Sequence, residues 1–179
     1  GGNLEGDIPC ERWVSRIGHI LDVAKAHGLT LEYVTLAYTM AWATPLFIKR
    51  VVGALRERWL GIDIALHLHD TRGMAIANAY AGLEMGVTRF EPSVAGLGGC
   101  PFAGHKARQT TGNVCTEDMV FMCHEMGIDT GIDLEKMIEA SRMAEEIIGR
   151  PLMGRVMHSG SLKAFREGRQ ADSACVSVP

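Results

Sequence analysis

Long apolar runs are missing from this sequence. None approaches the ~18 residues that a membrane-spanning helix requires, so no such span is expected. An excess of basic charge is missing too. Lysine and arginine number 18 against 21 aspartate and glutamate, for a net charge of −3 with the histidines neutral. Such a surface offers a phosphate backbone little attraction, which argues against nucleic acid as a partner. Cysteine is sparse and scattered. The five cysteines, at 10, 100, 115, 123 and 175, form no C-x-x-C pair and are odd in number. That pattern excludes a zinc knuckle and a disulfide framework, and a reducing cytoplasm is the compartment that fits. The opening GGNLEGDIP has neither an initiator Met nor the charged-then-apolar pattern of a signal peptide; it fits a processed, tagged or truncated start.

What the sequence does have is enough aliphatic material for a core. Of 179 residues, 47% are hydrophobic, and that length suits one domain. Apolar residues at Trp13, Val14, Ile17, Ile20, Leu21 and Ala24 predict a helix over 11–27, stopped by Gly28. The stretch 31–39 is β-rich. Thr44-Pro45 starts a second helix as cap and first helical position. A strand follows over 62–69, then an Ala-rich helix from about Met74 to Met85, then a strand over 87–94. A glycine-rich loop occupies 95–113. Thr116 and Asp133 are expected to cap two further helices, ending near Gly127 and Gly149, and a loose polar tail spans 159–179. Strands separated by single helices at intervals of ~30 residues are βαβ units of a parallel sheet. The architecture is then doubly wound or a (β/α)₈ barrel. A whole barrel takes ~250 residues, so a barrel here would be part of one.

Three motifs carry chemistry. The first is IDIALHLHD, 62–70. Residues i and i+2 of a strand share a face, so His67 and His69 point the same way at the C-terminal strand end, where parallel α/β folds place their sites. The pair is either half of a metal site or two polar residues hydrogen-bonded to strand-end loops. The second is SVAGLGGCPF, 93–102. Gly96, Gly98 and Gly99 permit tight turns and close approach to a ligand, and Cys100 at the crest could move protons or simply fill space. The spacing is not that of a dinucleotide fingerprint. The third is GNVCTED, 112–118. With Thr116 read as the cap, the amide of Asn113 is free to turn the chain or ligate a hard cation. Glu117 and Asp118 lie in the first helical turn and complement its dipole, a structural role.

Taken together, HLHDTRGMAIAN, EMGVTRFEPSVAGLGGCPFA, GNVCTEDMVFM and EMGIDTGIDLEKMIEA resemble the 3-hydroxy-3-methylglutaryl-CoA (HMG-CoA) lyase family of metal-dependent TIM-barrel enzymes. The resemblance covers residues 1–158, with GGNLEGDIP similar to the loop after the fifth strand. It implies the C-terminal part of a (β/α)₈ barrel with extra C-terminal helices. It implies that His67, His69 and Asn113 ligate a divalent cation, Mg²⁺ or Mn²⁺, that Gly98 and Gly99 border the substrate, and that Cys100 is catalytic. The implied reaction cleaves an acyl-CoA, HMG-CoA, to acetyl-CoA and acetoacetate by retro-Claisen chemistry. Sister activities are an aldolase or a Claisen-type acyltransferase acting on a 2-oxo acid; a degenerate metal-binding barrel part is the rival from another class. The oligomeric state is left open, a homo-oligomer included. Three departures stand out. The family's Arg-Asp pair of the first strand has no counterpart in these residues. Tyr38-Thr39 stands where the family has Asp-Thr, leaving Tyr38 as a site residue of unassigned role. The stretch 102–111 is longer than usual and adds His105, Lys106 and Arg108.

Overall fold

The computed structural model describes residues 6–99, 112–163 and 165–167. Three short strands form one parallel sheet in the order β1 (Val34–Tyr38), β2 (Ile64–Leu68), β3 (Arg89–Phe90). Helix α1 (Cys10–Ala26) precedes β1, α2 (Pro45–Arg58) joins β1 to β2, and α3 (Ala75–Glu84) joins β2 to β3. After β3 come a 3₁₀ turn (Val94–Gly96), α4 (Thr116–Glu125), α5 (Leu134–Ile148) and α6 (Val156–Ser159). The first part of the chain is therefore the βαβαβ arrangement that the strand spacing predicts. No helix among the described residues is long and apolar enough to cross a membrane.

Strand parity sorts the core from the site. Val34, Leu36 and Tyr38 of β1, with Ile64, Leu66 and Leu68 of β2, are all buried and join the helices in one core. Helix α2 contributes Ile48, Val51, Val52 and Leu55, each wholly buried. Its start is as predicted: Thr44 accepts a hydrogen bond from the Phe47 amide, and Pro45 occupies the first turn. Helix α3 is rich in small residues because it lies close on the sheet. A Cβ on Gly82 would meet Leu66 Cδ1 at 2.5 Å. The opposite sheet face carries Thr35 and Ala37 from β1 and Ala65 and His67 from β2, with His69 beyond the strand end.

Several expectations need correction. The strand predicted over 87–94 pairs only at Arg89–Phe90. The Glu91 amide still donates to Leu66 O, but Pro92 has no N–H to continue the ladder, and Ser93 pairs with Cys115 instead. Thr116 does not cap α4; Cys115 holds the cap position without a side-chain bond, while the Thr116 amide donates to Ser93 O. Asp133 does cap α5, accepting from the Glu135 and Lys136 amides, and Gly149 ends it in the left-handed region.

Glu117 and Asp118 do more than complement a helix dipole, because both are buried. Glu117 Oε2 accepts from the Ala95 amide at 3.0 Å, holding the 3₁₀ turn where Ala95 takes a φ of +52°. Asp118 accepts from the Arg155 and Val156 amides and so anchors the start of α6. A second small core of Ala95, Leu152 and Met157 lies beneath that turn. In the described part of the segment from 159, Arg166 forms two bonds to Glu125 and Ser161 donates to Glu135, all at the surface.

Candidate metal centre

At the C-terminal end of β2 the sequence leaves two imidazoles on one face, and the fold brings their ring nitrogens together. His67 Nε2 and His69 Nε2 are 3.0 Å apart. The facing β1 residue in register with His67 is Ala37, whose methyl leaves the space in front of the ring open. His69 is 4% exposed. Burial, with His67 beside it, pushes the His69 imidazole below the ordinary histidine range, so at neutral pH it is uncharged and keeps a lone pair for a ligand.

Asn113 arrives from a distant part of the chain. It forms an antiparallel bridge with His69, which puts the two side chains on one face. Its backbone neighbourhood is fixed on both sides: Asp70 N donates to Gly112 O, Val114 N to Leu68 O, and Ser93 N to Val114 O. Its amide Nδ2 donates to Leu97 O at 3.1 Å, while Oδ1 is buried without a hydrogen-bond partner. Asp70, next to His69 in sequence, turns away and accepts from the Ala75 amide at the start of α3.

Gly96, Gly98 and Gly112 have a packing explanation. A Cβ on Gly112 would lie 1.4 Å from Gly96 O, and one on Gly98 would lie 2.9 Å from Asn113 Nδ2. Gly96 and Gly98 also carry positive φ, +69° and +100°. Gly98 is thus required by the approach of Asn113 itself, a constraint that precedes any contact with substrate. Gly99 is exposed at the end of the described segment. Cys100 lies outside the described residues, as do His105, Lys106 and Arg108.

Tyr38 sits away from the histidines. It is 5% exposed and belongs to the helix-side core, stacked on Trp13 at 5.1 Å and edge-on to Phe47 at 6.3 Å. Burial drives its phenol well above the ordinary tyrosine range, and its hydroxyl has no partner. As a site residue it is therefore corrected to a core residue.

Sequence reasoning missed Glu91. Its Oε2 lies 3.3 Å from His67 Nδ1, on the side of the ring away from His69, and its Oε1 accepts from Thr35 Oγ1 at 3.0 Å. Nothing local marks it, because it falls within the strand expected over 87–94 and its partners lie on two other strands.

The donor set fits a hard divalent cation. An ion bonded at about 2.1 Å with right-angled geometry keeps adjacent donor atoms about 3.0 Å apart, the separation of the two Nε2 atoms. The unpartnered Asn113 Oδ1 is an oxygen donor on the same face. Among the described residues no three His, Cys, Asp or Glu side chains converge on one point, so the site as it stands is two imidazoles and one amide.

Comparison with known proteins gives the chain a family. Residues 14–144 match the HMGL-like family model. A hydroxymethylglutaryl-CoA lyase of Bacillus subtilis is 40% identical over 155 residues, covering 87% of this chain and 48% of that protein. The (R)-citramalyl-CoA lyase of Chloroflexus aurantiacus is 32% identical over 160 residues, covering 89% and 47%. Among solved structures, an HMG-CoA lyase from Acinetobacter baumannii, in complex with coenzyme A and 3-methylmalate, superposes with a TM-score of 0.77 at 34% identity. It covers 91% of this chain and 50% of that one. The expected fold class holds: an α/β chain that matches part of the TIM barrel of these lyases. The chain spans about half the length of the curated relatives it matches.

Proposed function

Because this chain belongs to the HMGL-like family, we propose that it forms the histidine-bearing part of a metal-assisted carbon–carbon lyase acting on a 3-hydroxyacyl-CoA, with HMG-CoA as the first candidate. The observation that carries this reading is the pair of Nε2 atoms 3.0 Å apart, with the unpartnered Asn113 Oδ1 on the same face. His67, His69 and Asn113 are the residues that would hold Mg²⁺ or Mn²⁺. When bound, the cation supplies Lewis-acid stabilisation of negative charge on substrate oxygens.

The chain's own residues have separate tasks. His69 is held neutral by burial, so one of its two ring nitrogens keeps a lone pair for a cation. Asn113 offers an oxygen without adding charge. In the reaction, the tertiary hydroxyl loses its proton to a base, the bond between C2 and C3 breaks, and the carbon of the departing acetyl-CoA gains a proton. Cys100 is the proposed donor of that last proton. Tyr38 is not the base, since it faces the core.

One observation favours a second reading of the substrate. The relatives include a citramalyl-CoA lyase, 32% identical over 160 residues. A different acyl group, such as that of (R)-citramalyl-CoA, is then the substrate of the same class of cleavage.

The test uses the full-length protein with Mn²⁺, offered HMG-CoA, (R)-citramalyl-CoA and, separately, acetyl-CoA with a 2-oxo acid. Release of acetyl-CoA from either thioester, lost on chelation and in His69→Ala, is the expected result. Condensation without cleavage would replace the lyase with an acyltransferase. Absence of Mn²⁺ binding, or cleavage that survives His69→Ala, would overturn the ligand assignment.

A further inference from the structure

The histidine pair leaves one question unanswered: what fixes the His67 ring? The residue is a quarter exposed, and neither a core contact nor a backbone bond accounts for its orientation. An imidazole can carry its single proton on either nitrogen, and only the bare nitrogen can ligate a cation. A site that depends on His67 Nε2 must therefore keep the proton on Nδ1.

We infer that Glu91 is the positioning residue that holds the His67 proton on Nδ1 and keeps Nε2 bare, and that Thr35 fixes Glu91 in turn. Three strands contribute to this relay. Thr35 Oγ1 on β1 donates to Glu91 Oε1 at 3.0 Å. Glu91 Oε2, just past β3, faces His67 Nδ1 at 3.3 Å. His67 Nε2 on β2 faces His69 Nε2. The Glu91 backbone is itself anchored, since its amide donates to Leu66 O. Oε1 accepts a hydrogen bond from Thr35 and Oε2 makes the 3.3 Å contact with the ring, so rotating the carboxylate would break the first and lengthen the second.

The geometry separates this role from two others. Glu91 is not placed as a ligand, because it meets the ring nitrogen on the far side from Nε2. Nor is the contact a strong ion pair, because solvent reaches both side chains and such pairs contribute little to stability. Its effect is on orientation and on which nitrogen is free. A carboxylate behind a ligating histidine also raises the basicity of the ligand, and loss of such a partner typically reduces metal affinity about 10–100-fold.

The inference rests on the metal-ligand reading above, so the experiment reads two quantities. Mn²⁺ affinity is measured by titration calorimetry on the full-length protein and on its Glu91→Leu, Glu91→Gln and Thr35→Val variants, with circular dichroism to verify folding. In parallel, the His67 tautomer is read from ¹⁵N shifts of histidine-labelled, metal-free protein, assigned by loss of the signal in His67→Gln. The expected result is Nδ1–H in the wild type, redistribution toward Nε2–H in Glu91→Leu, and a fall of about 10–100-fold in that variant's Mn²⁺ affinity. Glu91→Gln keeps an acceptor for Nδ1–H, so it should retain the tautomer and lose less affinity. Thr35→Val should fall between Glu91→Gln and wild type, and it carries the test if Glu91→Leu does not fold. A folded Glu91→Leu protein with wild-type tautomer and wild-type affinity overturns the inference. If the wild type binds no Mn²⁺ yet its tautomer follows Glu91, the relay stands and the metal reading falls.

Discussion

Replacing Gly112 with alanine should test the local architecture more severely than any other single methyl group. The added Cβ would stand 1.4 Å from Gly96 O, 2.6 Å from Gly96 C and 3.1 Å from Gly98 O. Reaching even a 3.0 Å contact from 1.4 Å requires about 1.6 Å of separation between two backbone segments. Neither segment is free to give way. Residues 112–116 are bonded to Leu68, Asp70 and Ser93, and the 3₁₀ turn is held by Glu117 through the Ala95 amide. Overpacking of this kind costs about 1–3 kcal/mol, and each backbone bond lost adds about 0.5–1.5 kcal/mol. The total expected is about 2–4 kcal/mol. At about 2–4 °C per kcal/mol for a chain of this size, Tm should fall by roughly 5–15 °C. Because Asn113 is the next residue, the rise in Tm produced by Mn²⁺ should shrink as well. Thermal unfolding of the full-length protein with and without Mn²⁺ gives both numbers. Gly53→Ala is the control. It sits inside α2, meets only Met85 Cε at 3.7 Å, and should stabilise by about 0.5–1 kcal/mol. A Gly112→Ala protein with the wild-type Tm and the wild-type response to Mn²⁺ would refute the packing argument.

Two further outcomes follow from buried polar atoms. Tyr38→Phe removes an unpartnered hydroxyl from the core and should leave Tm equal to or above the wild type and turnover unchanged; a large fall in kcat would return Tyr38 to the site. Glu117 is wholly buried, and burial raises its carboxyl above the usual range. Between its unfolded and folded values, therefore, the folded form binds a proton that the unfolded chain has released. Stability from that proton is complete below about pH 4.5 and is lost as pH rises through the folded value. Glu117→Gln keeps an acceptor for the Ala95 amide without the charge, so the Tm of that variant minus that of wild type should grow as pH rises. A difference that shrinks over the same range would contradict the sign.

Much of the fold is legible in local sequence, and the reasons differ from residue to residue. His67 and His69 are legible because strand parity and a strand-end position both follow from neighbouring residues. Tyr38 shows the same rule ignored. It is in phase with Val34 and Leu36, so period-two alternation assigns it to the core, whereas matching it to a family motif draws attention to the wrong face. Asn113 is identified by motif, but its antiparallel pairing with His69 depends on a long return of the chain that no local pattern encodes. Glu117 and Asp118 are read from helix position alone, and their tertiary partners at Ala95, Arg155 and Val156 are out of reach for that reason. Glu91 becomes meaningful only once β3 is set beside β2 in register.

The clamp at residues 96–98 and 112–113 has a consequence for how such a protein can diversify. Leu97 O is tied to the Asn113 amide, and Gly112 lies directly against Gly96, so residues 96–98 and 112–113 meet as a closed stem. The stem's geometry is set by its own contacts rather than by the number of residues beyond it. Lengthening a loop costs little in closure entropy once its ends are held, about 0.6 kcal/mol per doubling. Residues added between such fixed ends can accumulate at little cost, while the bonds that place His69 and Asn113 are untouched. Change in the intervening stretch and upkeep of the stem are then separate targets of selection, joined where Gly96 and Gly112 meet.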